Sequence, residues 1–221
     1  MITLYGDASR TRANRCTWML NELGVEYRHE PLAFRPGQEK PGDFLALNPN
    51  GKCPTLVDGD LALFESLAIN LYLARRYGGA TLGPRSVEEE ALMTQWSFWV
   101  ATEVEKPLLL TAAVRHLFDP HEPGDEETQI TLGKLKRPWS VLDAHLAGRD
   151  FILGDRFTVA DLNVAAVMHF IPIAGIDISP WPALQRWLET CLGRPAAVDT
   201  RSVAFRVPRP RTSRDIFAMF I

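Results

Sequence analysis

Hydrophobic and polar positions follow two rhythms along the chain. In the N-terminal third the rhythms are mixed. ITLYG (2–6) reads as a strand, and Cys16, Met19, Leu20 and Leu23 then recur at i, i+3, i+4 and i+7, one face of a helix that Gly24 stops. VEYRHEPL (25–32) is a second short strand. PTLVDGDLALF (54–64) holds two apolar runs around Asp58-Gly59, a hairpin signal. From Glu65 to Tyr77 the pattern is helical, and Gly78-Gly79 end it. The order is β-α-β, an irregular stretch, then β-β-α, which makes a mixed sheet with helices on its faces.

After GGATLGPRS (78–86), which reads as a linker, strand signals vanish. Val87 to about Pro107 is helical, with Trp96, Trp99, Val100 and Val104 on one face. Asp125 to Leu146 reads as a helix kinked at Pro138, because Leu135, Trp139, Leu142 and Leu146 keep their spacing across the proline. In FTVADL (157–162) Thr158 is placed to cap a helix, Asp161 to reach back to it, and Phe157 and Leu162 to form a hydrophobic staple. That helix is apolar nearly all round up to Phe170, which predicts a central, buried element. In PALQRWLETCLG (182–193), Leu184, Trp187, Leu188, Cys191 and Leu192 share a face. The expected organisation is an α/β domain over residues 1–79, an all-helical domain over 87–200, and a basic, Pro-rich tail over 201–221 that ends in IFAMFI.

Composition narrows the function classes. At 46% hydrophobic and 23% charged residues the chain can build real cores. A net charge of −3 gives no reason to expect nucleic acid or an anionic membrane as partner. The most apolar stretch, Leu162 to Ile176, contains Asn163, His169 and Pro172 and is short for a membrane span. No basic segment followed by a long apolar run opens the chain, so a cytoplasmic location is expected. Cys16, Cys53 and Cys191 have no metal spacing and form no even framework, which suits a reducing compartment. His29, His116, His121, His145 and His169 show no ligand spacing, and no metal is expected.

Two pairs carry chemistry. Pro54 cannot donate to a sheet ladder, so it belongs at a strand start or an edge. A cis Cys53–Pro54 bond would turn the chain sharply and leave the N–H and C=O of Cys53 free to receive another extended chain, including a short peptide. Glu65-Ser66 begins a helix, whose free N–H groups and dipole attract anions. The Ser66 hydroxyl can donate to a carboxylate and Glu65 can hold an ammonium, which together suit the end group of an α-amino acid.

LNPNGKCPTLVDGD (47–60), LFESLAINLYLARRY (63–77), the linker and ILGDRFTVADLNVAAV (152–167) resemble the cytosolic glutathione S-transferases, in order and over residues 1 to about 200. The resemblance implies a thioredoxin-like N-terminal domain, an all-helical C-terminal domain and a homodimer. It implies glutathione as co-substrate and a small apolar electrophile as second substrate. By that resemblance Pro54 is the family's cis-proline, and the backbone of Cys53 pairs with the cysteinyl unit of glutathione. Glu65 and Ser66 hold its γ-glutamyl end, and Lys52 reaches its glycine carboxylate, with Asn50 a supporting candidate. Asp161 is structural. The alternatives are a non-enzymatic binding protein of the same fold, or a glutathione-dependent reductase, peroxidase or isomerase, a reductase using Cys16 or Cys53.

Glutathione reacts as its thiolate. Lowering a thiol pKa by about two units needs roughly 2.7 kcal/mol of preference for the anion, and one hydrogen bond to a charged group supplies about 1.5–3 kcal/mol. A hydroxyl near the first helix's N-terminus therefore suffices. In YGDASRTRANRC (5–16) the hydroxyls are Ser9 and Thr11. Ser9 fits the loop after the strand and is preferred. Thr11 stands at nearly the right distance before Arg15 and Trp18 but could instead cap the helix. Asn14 is a third option, Arg10 and Arg12 would add positive potential, and Tyr5 lies too early. Cys16 and Cys191 sit on apolar faces and read as buried and inert. Trp96, Trp99, Glu103 and the tail around Phe205 are candidates for the second-substrate wall, with core packing or a subunit interface the stronger reading of the tryptophans.

Overall fold

Four short strands make one sheet in the order β2-β1-β3-β4: β1 (Ile2–Tyr5), β2 (Tyr27–Glu30), β3 (Thr55–Asp58) and β4 (Leu61–Phe64). The structure is a computed structural model that describes residues 1–9, 11–32, 34, 37–117 and 126–202. β1 runs parallel to β2 and antiparallel to β3, which turns back through Gly59 into β4. Leu4 faces Leu56 across the central pair, and both are fully buried. β1 alternates as its sequence does, with Ile2 and Leu4 buried and Thr3 and Tyr5 half-buried.

The first unit, Met1–Met93, is completed by the segment that begins at Gly193. Its helices α1 (Ala13–Leu23) and α3 (Ser66–Tyr77) pack against each other. Gly24 ends α1 in the left-handed conformation at φ 62°, the stop its position announced. The stretch expected to be irregular contains α2 (Gly42–Leu47), which buries only Phe44, too little for a helical rhythm to show. The linker stretch contains a single turn, α4 (Gly79–Leu82).

The second unit, Thr94–Leu192, has no strand among its described residues. It takes the end of α5 (Val87–Trp99), a π-helical stretch Val100–Glu105, α6 (Lys106–Leu117), α7 (Glu126–Leu146), α8 (Val159–Met168), α9 (Phe170–Ile173) and α10 (Pro182–Leu192). The helix expected to end near Pro107 goes on to Leu117. Pro107 has no N–H to give the carbonyl four residues back, and the ladder widens just before it into the π form. α7 runs across Pro138 with Leu135, Trp139, Leu142 and Leu146 buried on one face.

α8 is buried along its whole length, and its start is held as the sequence indicated. The Asp161 carboxylate accepts the backbone N–H groups of Ile152 (2.7 Å) and Thr158 (2.9 Å), the Thr158 hydroxyl (3.1 Å) and the Trp187 indole N–H from α10 (2.9 Å). Asp143 on α7 caps α10 in turn, accepting the N–H groups of Ala183 and Leu184. Two buried or half-buried acids thus tie the ends of three helices. After α10, α11 (Pro195–Ser202) packs on α1 within the first unit. Arg194 forks onto the buried Glu22 at 2.7 and 2.8 Å, while the Trp18 indole donates to the same carboxylate.

Asp161→Ala strands four donors in a closed site, and its expected cost is about 3–5 kcal/mol of unfolding free energy. Chemical denaturation with an unchanged m-value would register it. A loss below about 1 kcal/mol would show that the carboxylate does not hold the helix.

Candidate functional site

β1 delivers the chain to Gly6, whose φ of +137° and surroundings admit no side chain. A Cβ built there would lie 2.9 Å from that of Ala13, 3.0 Å from that of Cys53 and 3.2 Å from Thr11 Oγ1. The end of β1, the start of α1 and the Cys53–Pro54 turn therefore converge on one point. His29 on β2 steadies it, with Nε2 2.7 Å from the Gly6 carbonyl. Tyr5, just before, packs its ring on Phe44 of α2.

The Cys53–Pro54 peptide bond is cis, and Pro54 stands immediately ahead of β3. Among the described residues none hydrogen-bonds the N–H or the C=O of Cys53. The turn is fixed from behind by Asn48, a buried side chain that the sequence reading passed over for Asn50. Asn48 Nδ2 donates to the Lys52 carbonyl (2.7 Å) and to Thr55 Oγ1 (3.1 Å), and its Oδ1 accepts the Asn50 N–H (3.1 Å). Asn50 is exposed, and its part is that one backbone bond.

β4 leads into the second pair. Glu65, exposed, sits at φ 73° and ψ 109°, a conformation that costs a non-glycine residue of order 1–3 kcal/mol and is concentrated at functional sites. It turns the chain so that Ser66 opens α3. Ser66 is buried and accepts a 3.3 Å bond from Arg15 Nη1, so its own hydroxyl proton is left to donate. Its N–H is among those a helix start leaves without an intrahelical acceptor. Lys52 is exposed. Lys40, absent from the sequence reading, lies over the same turn: a Cβ on Gly51 would be 3.0 Å from its Nζ.

The loop between β1 and α1 carries both candidate hydroxyls, and Asp7 holds both. The Ser9 N–H (2.8 Å) and Oγ (2.6 Å) donate to the Asp7 carboxylate. The Thr11 N–H and Oγ1 each donate to the Asp7 carbonyl at 2.8 Å. Thr11 Oγ1 also accepts the Ala13 N–H (3.2 Å), although the cap position of α1 itself is Arg12. Arg12, just ahead of α1, is exposed, Asn14 in its first turn is half-buried, and Arg10 lies outside the described residues. The signal for Asp7 was the Asp-x-Ser spacing of an Asx turn.

None of the three cysteines is poised as a nucleophile. Cys16 and Cys191 are buried, and burial pushes the Cys16 thiol far above its ordinary value despite the Arg15 charge beside it. Cys53 is half-buried, with Sγ 3.5 Å from the Leu32 carbonyl. Burial, helped by the Asp7 charge and opposed by the Lys40 ammonium, pushes its thiol up to about 11. In the helical unit Trp96 is buried and stacks near Trp99 and His145, Trp99 is half-buried, and Glu103 is exposed. Phe205 lies outside the described residues. Among the described residues no group of three or more His, Cys, Asp or Glu could hold a metal ion, and no helix is long and apolar enough to cross a membrane.

The family model for the glutathione S-transferase N-terminal domain matches residues 1–75, and that for the C-terminal domain matches residues 106–195. Glutathione S-transferase 3 of Zea mays is 33% identical over 221 residues, covering 96% of this chain and 98% of its own. Glutathione S-transferase GstB of Escherichia coli (strain K12) is 32% identical over 200 residues, covering 89% and 95%. The crystal structure of a theta class glutathione S-transferase from Xanthomonas axonopodis pv. citri, with glutathione bound, superposes with a TM-score of 0.78 at 28% identity, covering 92% of this chain and 98% of that one.

The upward shift of Cys53 from 9.0 to about 11 sets an expectation for its reactivity. A pKa near 11 leaves roughly 100-fold less thiolate at neutral pH while the more basic thiolate is about tenfold more nucleophilic, so iodoacetamide should label Cys53 about tenfold more slowly than an unperturbed thiol. Mass spectrometry of timed samples reads the rate, and labelling as fast as free cysteine would contradict the assignment.

Proposed function

The chain belongs to the glutathione S-transferase family and is a glutathione transferase; we propose that it docks glutathione on the Cys53–Pro54 turn and activates the thiol with the hydroxyl of Thr11. The observation that carries this reading is the convergence at Gly6, where Thr11 Oγ1 and Cys53 approach one point to within about a side chain's contact distance. A tripeptide paired with the Cys53 backbone would bring its own cysteine there. Ser66 and the first N–H groups of α3 would receive the γ-glutamyl carboxylate, and Glu65 its ammonium. Lys52 and Lys40 would face the glycine carboxylate at the other end.

The sequence alone prefers Ser9 as the activating hydroxyl, and the hydrogen bonds favour Thr11. Ser9 donates at 2.6 Å to a carboxylate, a charge-assisted bond that a thiolate would have to break. Thr11 donates to a neutral carbonyl, a weaker acceptor than a thiolate, so its proton can turn to the sulfur at lower cost. The N–H of Ala13 on Thr11 Oγ1 polarises the hydroxyl in the same direction. The thiol proton leaves to water. The thiolate sulfur then forms a bond to an electrophilic carbon, and either the bond to a leaving group breaks, the group departing with the electron pair (chloride from chlorodinitrobenzene), or in an addition the new carbanion takes up a proton.

The second substrate in this reading is a small apolar electrophile, and the working state is a cytoplasmic homodimer. Exposed apolar side chains support the dimer: Leu61 and Phe64 stand on the edge strand β4, and Phe98 on α5 is 67% exposed.

Thr11→Ala should cut kcat/KM roughly 10- to 100-fold, the worth of one hydrogen bond to a charged group, and move the rise of the pH–rate profile to higher pH. Glu65→Ala should raise KM for glutathione with little change in kcat. Both are read with chlorodinitrobenzene as electrophile. A Thr11→Ala enzyme with wild-type kcat/KM would remove the hydroxyl from the mechanism.

A further inference from the structure

We infer that Asp7 is a positioning residue for thiol activation: it holds both hydroxyls of the β1–α1 loop, and its charge opposes ionisation of the thiol docked beside Cys53. This rests on the docking of glutathione at the Cys53–Pro54 turn. Asp7 takes part in at least five hydrogen bonds. Its N–H donates to the Leu32 carbonyl (2.7 Å), the same carbonyl that receives the Cys53 thiol (3.5 Å). Its carboxylate accepts the N–H and hydroxyl of Ser9, and its carbonyl accepts the N–H and hydroxyl of Thr11. Asp7 thus links the loop that carries the hydroxyls to the turn that receives the tripeptide, through the shared acceptor Leu32.

The side chain and main chain of Asp7 do different things. The side chain closes an Asx turn onto Ser9, which fixes the loop conformation. That conformation aims the Asp7 carbonyl at Thr11, so the side chain acts on the activating hydroxyl through the backbone between them. The carboxylate also contributes a negative charge next to the place where a second negative charge must form, and such a neighbour opposes ionisation. Ser9 is then a partial screen, spreading that charge over two donors.

The other charged and titratable groups around the turn are Lys40 ahead of α2, Lys52 within the turn, His29 and Glu30 on β2, Arg12 at the head of α1, Arg15 inside it and Glu65 before α3. Of these, Lys40 acts on Cys53 with the opposite sign to Asp7. A thiol docked at this turn would thus meet the Lys40 charge favouring ionisation, with burial and the weaker effect of the Asp7 charge opposing it.

The test titrates the ultraviolet absorbance of the thiolate of bound glutathione, after calorimetry has shown binding, in the wild-type protein and three variants. Asp7→Asn keeps an acceptor for Ser9 and removes the charge, so the thiol pKa should fall by about half a unit or more. Ser9→Ala removes a donor from the carboxylate, so the pKa should rise. Asp7→Ala opens the Asx turn, and kcat with chlorodinitrobenzene should fall about tenfold, the worth of one misplaced hydrogen bond, with Asp7→Asn restoring it. An unmoved or raised pKa in Asp7→Asn, or an unmoved or lowered one in Ser9→Ala, overturns the charge effect. A wild-type kcat in Asp7→Ala overturns the positioning. Wild-type protein that does not bind glutathione at all overturns the docking reading instead, and this inference with it.

Discussion

The carboxamide of Asn48 holds the turn on which the rest of the site is built. A polypeptide that offers its own N–H and C=O to another molecule must give up pairing them internally, and such a segment holds its shape only if something else fixes it. Asn48 does this with three bonds from one buried side chain, two donated to Lys52 and Thr55 and one accepted from Asn50. The turn is thereby fixed at both ends, where it leaves α2 and where it enters β3. The approach of Cys53 to Gly6 and Thr11 follows from that fixed path, and Gly6 is needed because any side chain there would strike the turn. The proposed binding surface is backbone, and the sequence specifies it indirectly, through the residues behind it.

The start of α3 supports a different kind of recognition. Helix N-termini attract anions whatever their sequence, so discrimination has to come from what is added. Here two things are added. Arg15, buried in α1, donates to Ser66 Oγ and so leaves that hydroxyl's own proton to donate elsewhere. Glu65 is forced to a positive φ, which sets its carboxylate beside the helix start while leaving it exposed. In the proposed reading a carboxylate for the ammonium and a hydroxyl for the carboxylate stand on adjacent residues, at the cost of that strain. Asn70, which donates to the Arg15 carbonyl, ties α1 and α3 together a turn further on.

What the sequence made legible was periodic or strictly local. Leu184, Trp187, Leu188, Cys191 and Leu192 are the buried face of α10 because a helix core repeats every three or four residues. Thr158 and Asp161 could be read because a capping box is contained in four residues. The helix α2 left no rhythm, since Phe44 is its only buried side chain. Asn48 and Lys40 were silent for another reason: each acts across space on a turn whose path the sequence does not state. Asp7 lay in between. Its Asx spacing to Ser9 is local, but its consequence for Thr11 and Cys53 needs the folded loop. The choice between Ser9 and Thr11 had the same limit, because the two differ in their acceptors, a carboxylate for one and a carbonyl for the other.

That difference in acceptors bears on why a neutral hydroxyl, hemmed in by opposed charges, suits this chemistry better than a lysine placed against the sulfur. A thiolate stabilised too strongly is plentiful but weak, since nucleophilicity falls by about 0.4–0.5 log unit for each unit of pKa. Below the thiol pKa each unit of lowering gains tenfold in thiolate and loses about threefold in reactivity; once the pKa passes below ambient pH only the loss remains. The optimum is a thiol whose pKa sits near the working pH, which asks for a shift of one or two units and no more. In the proposed reading one hydroxyl bond at Thr11 supplies roughly that. Lys40 and Asp7 act on Cys53 with opposite signs, so a thiol docked at this turn would meet one charge that favours ionisation and one that joins burial in opposing it. Such a balance is adjustable by single residues, which makes the Asp7–Ser9 pair a natural place for the acidity of this site to be tuned without touching the groups that bind the tripeptide.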